Sequence, residues 1–328
     1  MIVGRAPYRV SFLGGGTDYP EWYLQHGGEV LAAAIDKYCW LSCRLLPPFF
    51  AHRHRIAYSV VETCNSLDEI KHPAVREGLR CVGEERGIEL HHDGDLPARS
   101  GMGSSSAFAV GLILVLRAMR GFSPLTKLEL AGMAINLERE LLREHVGAQD
   151  QVTSAHGGFN HVRFREDGRI EVEPVEMSDD DRDLLQRSLM LFHTGHFRSA
   201  SAQAGKFLGQ LSEHRSQLRD LKAMVGYGVD ALRGGDLVRF GRLLAAGWMI
   251  KRGMVEVDPE VEAMRREAMA AGALGCKLLG AGLGGFLLTC SSPECKPAIR
   301  DRLRGKTCVP FGFDDEGAKI VFQQTGTG

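Results

Sequence analysis

Residues 97–106, Pro-Ala-Arg-Ser-Gly-Met-Gly-Ser-Ser-Ser, run without a break into the apolar stretch 107–116. Two glycines and three serines ahead of a helix-length hydrophobic run have the composition of an anion cradle. The first amide N–H groups of a helix lack intrahelical partners, and they carry the positive end of its dipole. Glycines at that point let the backbone close on an anion, while serine hydroxyls add donors and metal ligands. The segment therefore predicts a phosphate-binding loop formed by Pro97, Ser100, Gly101, Met102, Gly103, Ser104, Ser105 and Ser106. For any single Gly-Ser pair, a glycine turn with a serine helix cap is the simpler alternative.

Two other nucleotide motifs fail on context. Gly305-Lys306-Thr307 has Arg300 where the first glycine of a Walker loop belongs. Gly280, Gly282 and Gly285 fit Gly-x-Gly-x-x-Gly, but the strand-like stretch 286–290 follows where a dinucleotide site opens a helix.

These residues must be positioned by a chain of 328 residues, long enough for two domains. With 44% hydrophobic and 25% charged residues, the composition is that of a soluble globular protein. A net charge of -1 provides no broad field for nucleic acid or anionic membrane, so any anion must be held locally. The longest uncharged apolar stretch, 101–116, falls short of the about 20 residues of a spanning helix. The N-terminus has arginines within its hydrophobic stretch and no cleavage pattern, which points to a cytoplasmic protein. The eight cysteines lack zinc-ribbon spacing and read as reduced core thiols. His52/His54 and His91/His92 have no accompanying cysteine or acidic cluster and read as loop or surface histidines.

Alternation over 8–13 predicts a strand ending at the Gly14-Gly15-Gly16 turn, and 30–46 predicts one or two buried strands. Helical spacing marks 67–87 and 104–119, and Ser123-Pro124 reads as the start of a helix over 127–142. A hairpin turns at Asp167-Gly168, and the charged segment 178–187 is a candidate domain joint. A strand follows at 188–195, then long amphipathic helices over 199–249. The last third reads as helix 258–271, glycine-rich loop, strand 286–290, helix 293–303, a final strand and a disordered tail at 325–328. Mixed rather than strictly alternating elements make the fold class α+β, with domains expected at 1–183 and 184–328.

Three separated segments, RAPYRVSFLGGGTDY, PARSGMGSSSA and KLLGAGLGGF, together and in this order resemble the motifs of the GHMP small-molecule kinases. That family includes galactokinase, homoserine kinase and mevalonate kinase. The resemblance implies an N-terminal domain like ribosomal protein S5, a ferredoxin-like C-terminal domain, and an active site between them using ATP and Mg2+. It casts Glu138 as the magnesium carboxylate with Ser105 as its partner, and Glu140 as the fallback if the register is off by two. Asp150 takes the place of the aspartate that accepts or orients the hydroxyl proton, and Arg9 that of the family's basic residue beside it.

Galactokinases carry Gly-Glu-His-x-Asp in the first motif, whereas this chain has Gly14, Gly15, Gly16, Thr17 and Asp18. The missing Glu and His argue against galactose. The pattern looks most like sugar 1-kinases acting on heptose 7-phosphate, with fucokinase-type enzymes as the alternative. Gly15, Gly16, Thr17, Asp18, Gly282 and Gly284 are then expected around the sugar, with Arg198, Lys251 and Arg252 around a distal phosphate. The partners expected are a sugar phosphate and ATP, with a homodimer as the candidate assembly. A sensor that binds ATP and sugar without turnover is the reading from another class. The retained Asp150, Glu138 and intact loop disfavour it.

Overall fold

Apolar residues crowd two stretches that become the long antiparallel strands β1 (Ile2–Leu13) and β2 (Gly28–Leu45), joined through α1 (Pro20–His26). The computed structural model describes residues 1–324 except Arg99, 197–199 and 281–283. The 18-residue β2 holds two neighbours on one edge. Residues 39–45 pair with β5 (Ile88–Gly94), and residues 28–33 pair with β6 (Phe159–Phe164). Beyond β5 lie β3 (His54–Ala57) and β4 (Val61–Cys64), and β7 (Ile170–Pro174) completes a hairpin with β6. Helices α3 (Ser104–Met119) and α5 (Gln149–His156) pack on β1 and β2, while α2 (Pro73–Cys81) and α4 (Lys127–Asn136) flank α3. Every residue from Ser106 to Ile113 is buried, so α3 is a core helix, apolar all round.

The charged segment at 178–187 forms a helix, α6 (Asp179–Ser188), whose cap is the Ser178 hydroxyl accepting from the Asp181 amide. After it come β8 (Leu189–His193), α7 (Ala200–Gly209), α8 (Arg215–Arg233), α9 (Leu237–Lys251) and α10 (Pro259–Ala270). The chain continues through β9 (Ala273–Leu278), β10 (Phe286–Ser291), α11 (Lys296–Arg302) and β11 (Cys308–Val309). A second, four-stranded antiparallel sheet has the order β11-β8-β10-β9. It encloses its own core of Met190, Phe192, Met264, Leu287 and Ile299. The last strand, β12 (Lys319–Gln323), returns to the first sheet, where Gln323 pairs with Ile2 of β1. The architecture is the expected α+β one.

Several local expectations change. The helix expected from Ser123-Pro124 starts at Thr126, where a reciprocal Thr126/Glu129 capping box fixes it. Regular α-helix ends at Asn136 and passes into a π-helical turn, Leu137–Leu141. Asp150 lies in the first turn of α5. His54 is a buried strand residue, and His91 sits on β5 beside Glu89 at 3.1 Å. The eight cysteines are free, and five of them are buried. Among the described residues, no helix is long and apolar enough to cross a membrane. The tail at 325–328 lies outside the described residues.

Helix α9 rests on β9 through two facing glycines. A Cβ built at Gly275 would stand 1.9 Å from the Gly241 carbonyl oxygen, so backbone meets backbone there. Gly275→Val should therefore destabilise the fold by about 3 kcal/mol, the upper range of overpacking. Gly226 of α8 has nothing within 4 Å of its would-be Cβ. Gly226→Ala should stabilise by about 0.5–1 kcal/mol through helix propensity. Urea denaturation of the two variants checks both signs.

Candidate active site

A cavity of about 350 Å³ opens where the two sheets meet. The register of β1 against β2 slips between Pro7, opposite Tyr38, and Arg9, opposite Ala34. Such a slip re-aims a strand side chain. Arg9 is buried, and its amide donates to the Met102 carbonyl at 3.1 Å. Its Nε and Nη2 donate to the two carboxylate oxygens of Asp150 at 2.6 and 2.7 Å, and Nη1 donates to the Gly101 carbonyl at 2.7 Å. This fork-to-fork pair is the strongest geometry open to an arginine and a carboxylate.

Gly103 caps α3 with φ 74, a left-handed conformation natural to glycine. A Cβ on it would lie 3.2 Å from both Arg9 Cγ and Asp150 Oδ2. The loop is backed by the third glycine-rich motif: a Cβ at Gly280 would fall 2.4 Å from Gly101 Cα, and one at Gly285 2.0 Å from the Ser100 carbonyl oxygen. Gly101, Gly103, Ser104, Ser105 and Ser106 line the cavity. Ser100 and Met102 are buried beneath the loop, off the cavity wall, and Pro97 is exposed away from it. Crowding by Gly285 and the core accounts for the first two. The third precedes the point where the chain turns inward.

The first motif makes the opposite wall. Gly15, Gly16 and Asp18 line the cavity, whereas Thr17 is buried with its hydroxyl between the Gly14 and Glu29 carbonyls, 2.8 Å from each. Thr17 therefore locks the turn. Asp18 accepts from the Gly16 amide at 3.0 Å and from the Gln149 amide at 3.2 Å, so it holds the turn against the start of α5. Burial and the neighbouring Asp150 push its carboxyl above the usual range.

Glu138, in the π-helical turn, is buried. It accepts from the Ser105 hydroxyl and from Gln151 Nε2, both at 2.6 Å. Burial pushes its carboxyl up to about 7 against those hydrogen bonds. Glu140, the fallback, is exposed. Among the described residues no three His, Cys, Asp or Glu side chains cluster as a metal cage. One carboxylate and one hydroxyl under an anion cradle suit a hard cation that takes its other ligands from phosphates and water.

Lys251 reaches the cavity and donates to the Gly280 carbonyl at 2.5 Å, placing its ammonium beside the cradle and not at a distal end. Burial, with Arg9 nearby, pushes it down to about 8, and Asp18 and Asp150 partly oppose this. Arg252, next along the helix, turns away to Glu262 at 3.1 Å and is off the cavity. Gly284 packs against His196, also off the cavity. Arg198 and Gly282 lie outside the described residues. The distal phosphate pocket expected from Arg198, Lys251 and Arg252 is thus not assembled by the latter two.

Sequence reasoning missed several wall residues. Lys277, heading the third motif, is buried and donates to the Ser11 and Phe12 carbonyls, both at 2.8 Å. Burial holds its ammonium well below the ordinary range. Ser11 was legible from its strand spacing to Arg9, and Gln149 from its adjacency to Asp150. Tyr19 and Phe207, with ring centroids 5.6 Å apart, form an apolar wall that no local signal announces.

Residues 68–158 match the GHMP kinases N terminal domain, and residues 229–307 match the GHMP kinases C terminal domain. The chain belongs to the GHMP kinases. Within this family it is 28% identical to the D-glycero-alpha-D-manno-heptose 7-phosphate kinase of Campylobacter jejuni, over 96% of this chain and 97% of the relative. It is 25% identical to the galactokinase of Thermotoga petrophila, over 94% and 95% of the two chains. A crystal structure of a D-glycero-D-manno-heptose 1-phosphate kinase from Bacteroides thetaiotaomicron matches with a TM-score of 0.82 at 25% identity, covering 99% of this GHMP kinase and 100% of the other. The chain is a sugar kinase of this family.

Lys251 gives this GHMP kinase a pH signature. A lysine depressed in the fold from 10.5 to about 8 destabilises the protein at neutral pH, and stability recovers as pH rises through that window. Lys251→Met should be more stable than the parent at pH 7 by about 2 kcal/mol, taking about 1.4 kcal/mol per unit and discounting for residual solvent contact. The difference should shrink between pH 8 and 10, as read by chemical denaturation at both values.

Proposed function

We propose that this GHMP kinase transfers the γ-phosphoryl group of ATP to the anomeric hydroxyl of a sugar phosphate. The substrate of choice is D-glycero-α-D-manno-heptose 7-phosphate, giving the 1,7-bisphosphate on a nucleotide-heptose route. The observation that carries the reaction type is the Arg9–Asp150 pair set against Gly103 at the N-terminus of α3. Phosphoryl transfer asks chiefly for positioning and charge stabilisation, and this arrangement offers both.

The amides of Ser104, Ser105 and Ser106 at the N-terminus of α3 receive the phosphates, while the Ser105 hydroxyl is turned to Glu138. The sugar hydroxyl oxygen attacks the γ-phosphorus as the bond to the β–γ bridging oxygen breaks and ADP leaves with that electron pair. The hydroxyl proton passes to a carboxylate oxygen of Asp150, which Arg9 holds in orientation from both sides. The Arg9 guanidinium lies beside the transferring group and stabilises its charge. Ser105 and Glu138 would hold a Mg2+ ion, which would supply neutralisation of the phosphate charge. Lys251 and Lys277 bring two desolvated ammonium groups to a site for polyanions.

The heptose reading is supported by the name of the Campylobacter jejuni relative and by glycines where galactokinases carry Glu and His. The two heptose kinases named above differ in the phosphate position that they carry in their names, so the position calls for direct assay.

Asp150→Asn should lower kcat by about 10²–10⁴-fold, the span of general base catalysis, with the KM for ATP nearly unchanged. Loss of less than about tenfold in steady-state assays would assign the proton to another group. ADP release measured with heptose 7-phosphate, heptose 1-phosphate, unphosphorylated heptose, L-fucose and D-galactose should give the highest kcat/KM for the 7-phosphate. Equal use of the unphosphorylated heptose or of fucose overturns the 7-phosphate assignment.

A further inference from the structure

Gln149 opens α5, where its amide donates to Asp18, and it immediately precedes Asp150. It lines the cavity, yet only 9% of the residue is exposed, and its side-chain carbonyl oxygen has no hydrogen-bond partner. A buried amide oxygen left unpaired is costly and uncommon, and at a cavity wall it marks a place for a ligand group. Its backbone is fixed from both sides: the amide donates to Asp18 Oδ2, and the carbonyl accepts from the Thr153 hydroxyl at 2.8 Å.

The space in front of this amide exists because position 15 is glycine. A Cβ built on Gly15 would stand 3.2 Å from the Ser11 hydroxyl oxygen and 3.5 Å from Gln149 Nε2. The recess is therefore about one atom wide and bounded by a hydroxyl and a carboxamide. Ser11 lies two residues beyond Arg9 on β1, so its side chain shares the face that holds the Arg9–Asp150 pair. A carboxamide facing a hydroxyl matches a sugar hydroxyl, which donates to one and accepts from the other. The match survives exchange of the amide oxygen and nitrogen, because a hydroxyl serves in both senses.

We infer that Gln149 and Ser11, across the recess left by Gly15, recognise the acceptor hydroxyl on the carbon next to the reacting one. This rests on the phosphoryl-transfer reading above and adds to it the group that selects the acceptor. It makes Gln149 a specificity residue, distinct from the proton-accepting Asp150.

The test compares the sugar that wild type uses best with its analogue lacking that neighbouring hydroxyl, in wild type, Gln149→Met and Gly15→Ala. Methionine keeps the length and removes the polar atoms. Alanine fills the recess, its methyl lying against the Ser11 hydroxyl and the Gln149 carboxamide, and leaves the sequence of α5 unchanged. Wild type should prefer the complete sugar by about ten- to a hundredfold in kcat/KM, the factor for leaving a buried polar group unpaired. Gln149→Met should lose most of that preference, and Gly15→Ala should lower kcat/KM for the complete sugar by about tenfold. The KM for ATP should stay unchanged in both. A folded Gln149→Met enzyme that discriminates as well as wild type overturns the inference, as does wild-type efficiency in Gly15→Ala if the first variant fails to fold. Absence of turnover by wild type on every sugar removes the kinase reading itself, and this inference with it.

Discussion

The Arg9–Asp150 pair is the constraint on which the site is built. The Arg9 side chain ties three parts of the chain: through Asp150 it reaches α5, through Gly101 the loop ahead of α3, and it starts from β1. A guanidinium so deeply placed needs all its fork satisfied, since an unpaired buried charge is far costlier than a missing surface ion pair. The consequences spread outward. The strand must slip its register to aim Arg9, position 103 must be glycine to clear both partners, and α5 must begin where Asp18 can hold it.

Around that pair the cavity gathers groups that the protein alone serves poorly. Asp18 and Glu138 are pushed upward by burial, and Lys251 and Lys277 downward. Each shift means that the charged form is under-solvated in the fold. A phosphate-rich substrate with a cation would supply the missing solvation to acids and bases alike. The stability forgone in holding such groups is the ordinary companion of a preorganised site.

Much of this was legible in the amino acids. The cradle announced itself because glycine, serine and a long apolar run are a rare junction, and Ser104–Met119 follows as helix with no alternative of that length. The α+β class followed from mixed elements. Strand β9 escaped notice because Ala273–Leu278 is covered on both faces, which erases the alternation that marks a half-exposed strand. Lys251 and Arg252 could not be told apart in sequence. Neighbours on a helix point about 100° apart, and only the packing of α9 on β9 decides which one faces the cavity. Thr17 and Asp18 divide in the same way, one locking a turn and the other lining the wall, as the turn conformation dictates.

The return of β12 to β1 bears on how the molecule is made. Ile2 leaves the ribosome long before its partner Gln323. Until β12 is made, the outer edge of β1 therefore presents unpaired amides and carbonyls, while β2 can seal only the other side. An open strand edge is a template for foreign strands, and a contact of such sequence separation forms late. The nascent chain must thus shelter one rim of its main sheet until β12 arrives. An edge left open for that interval, rather than the finished fold, is the point at which foreign strands could pair with the main sheet.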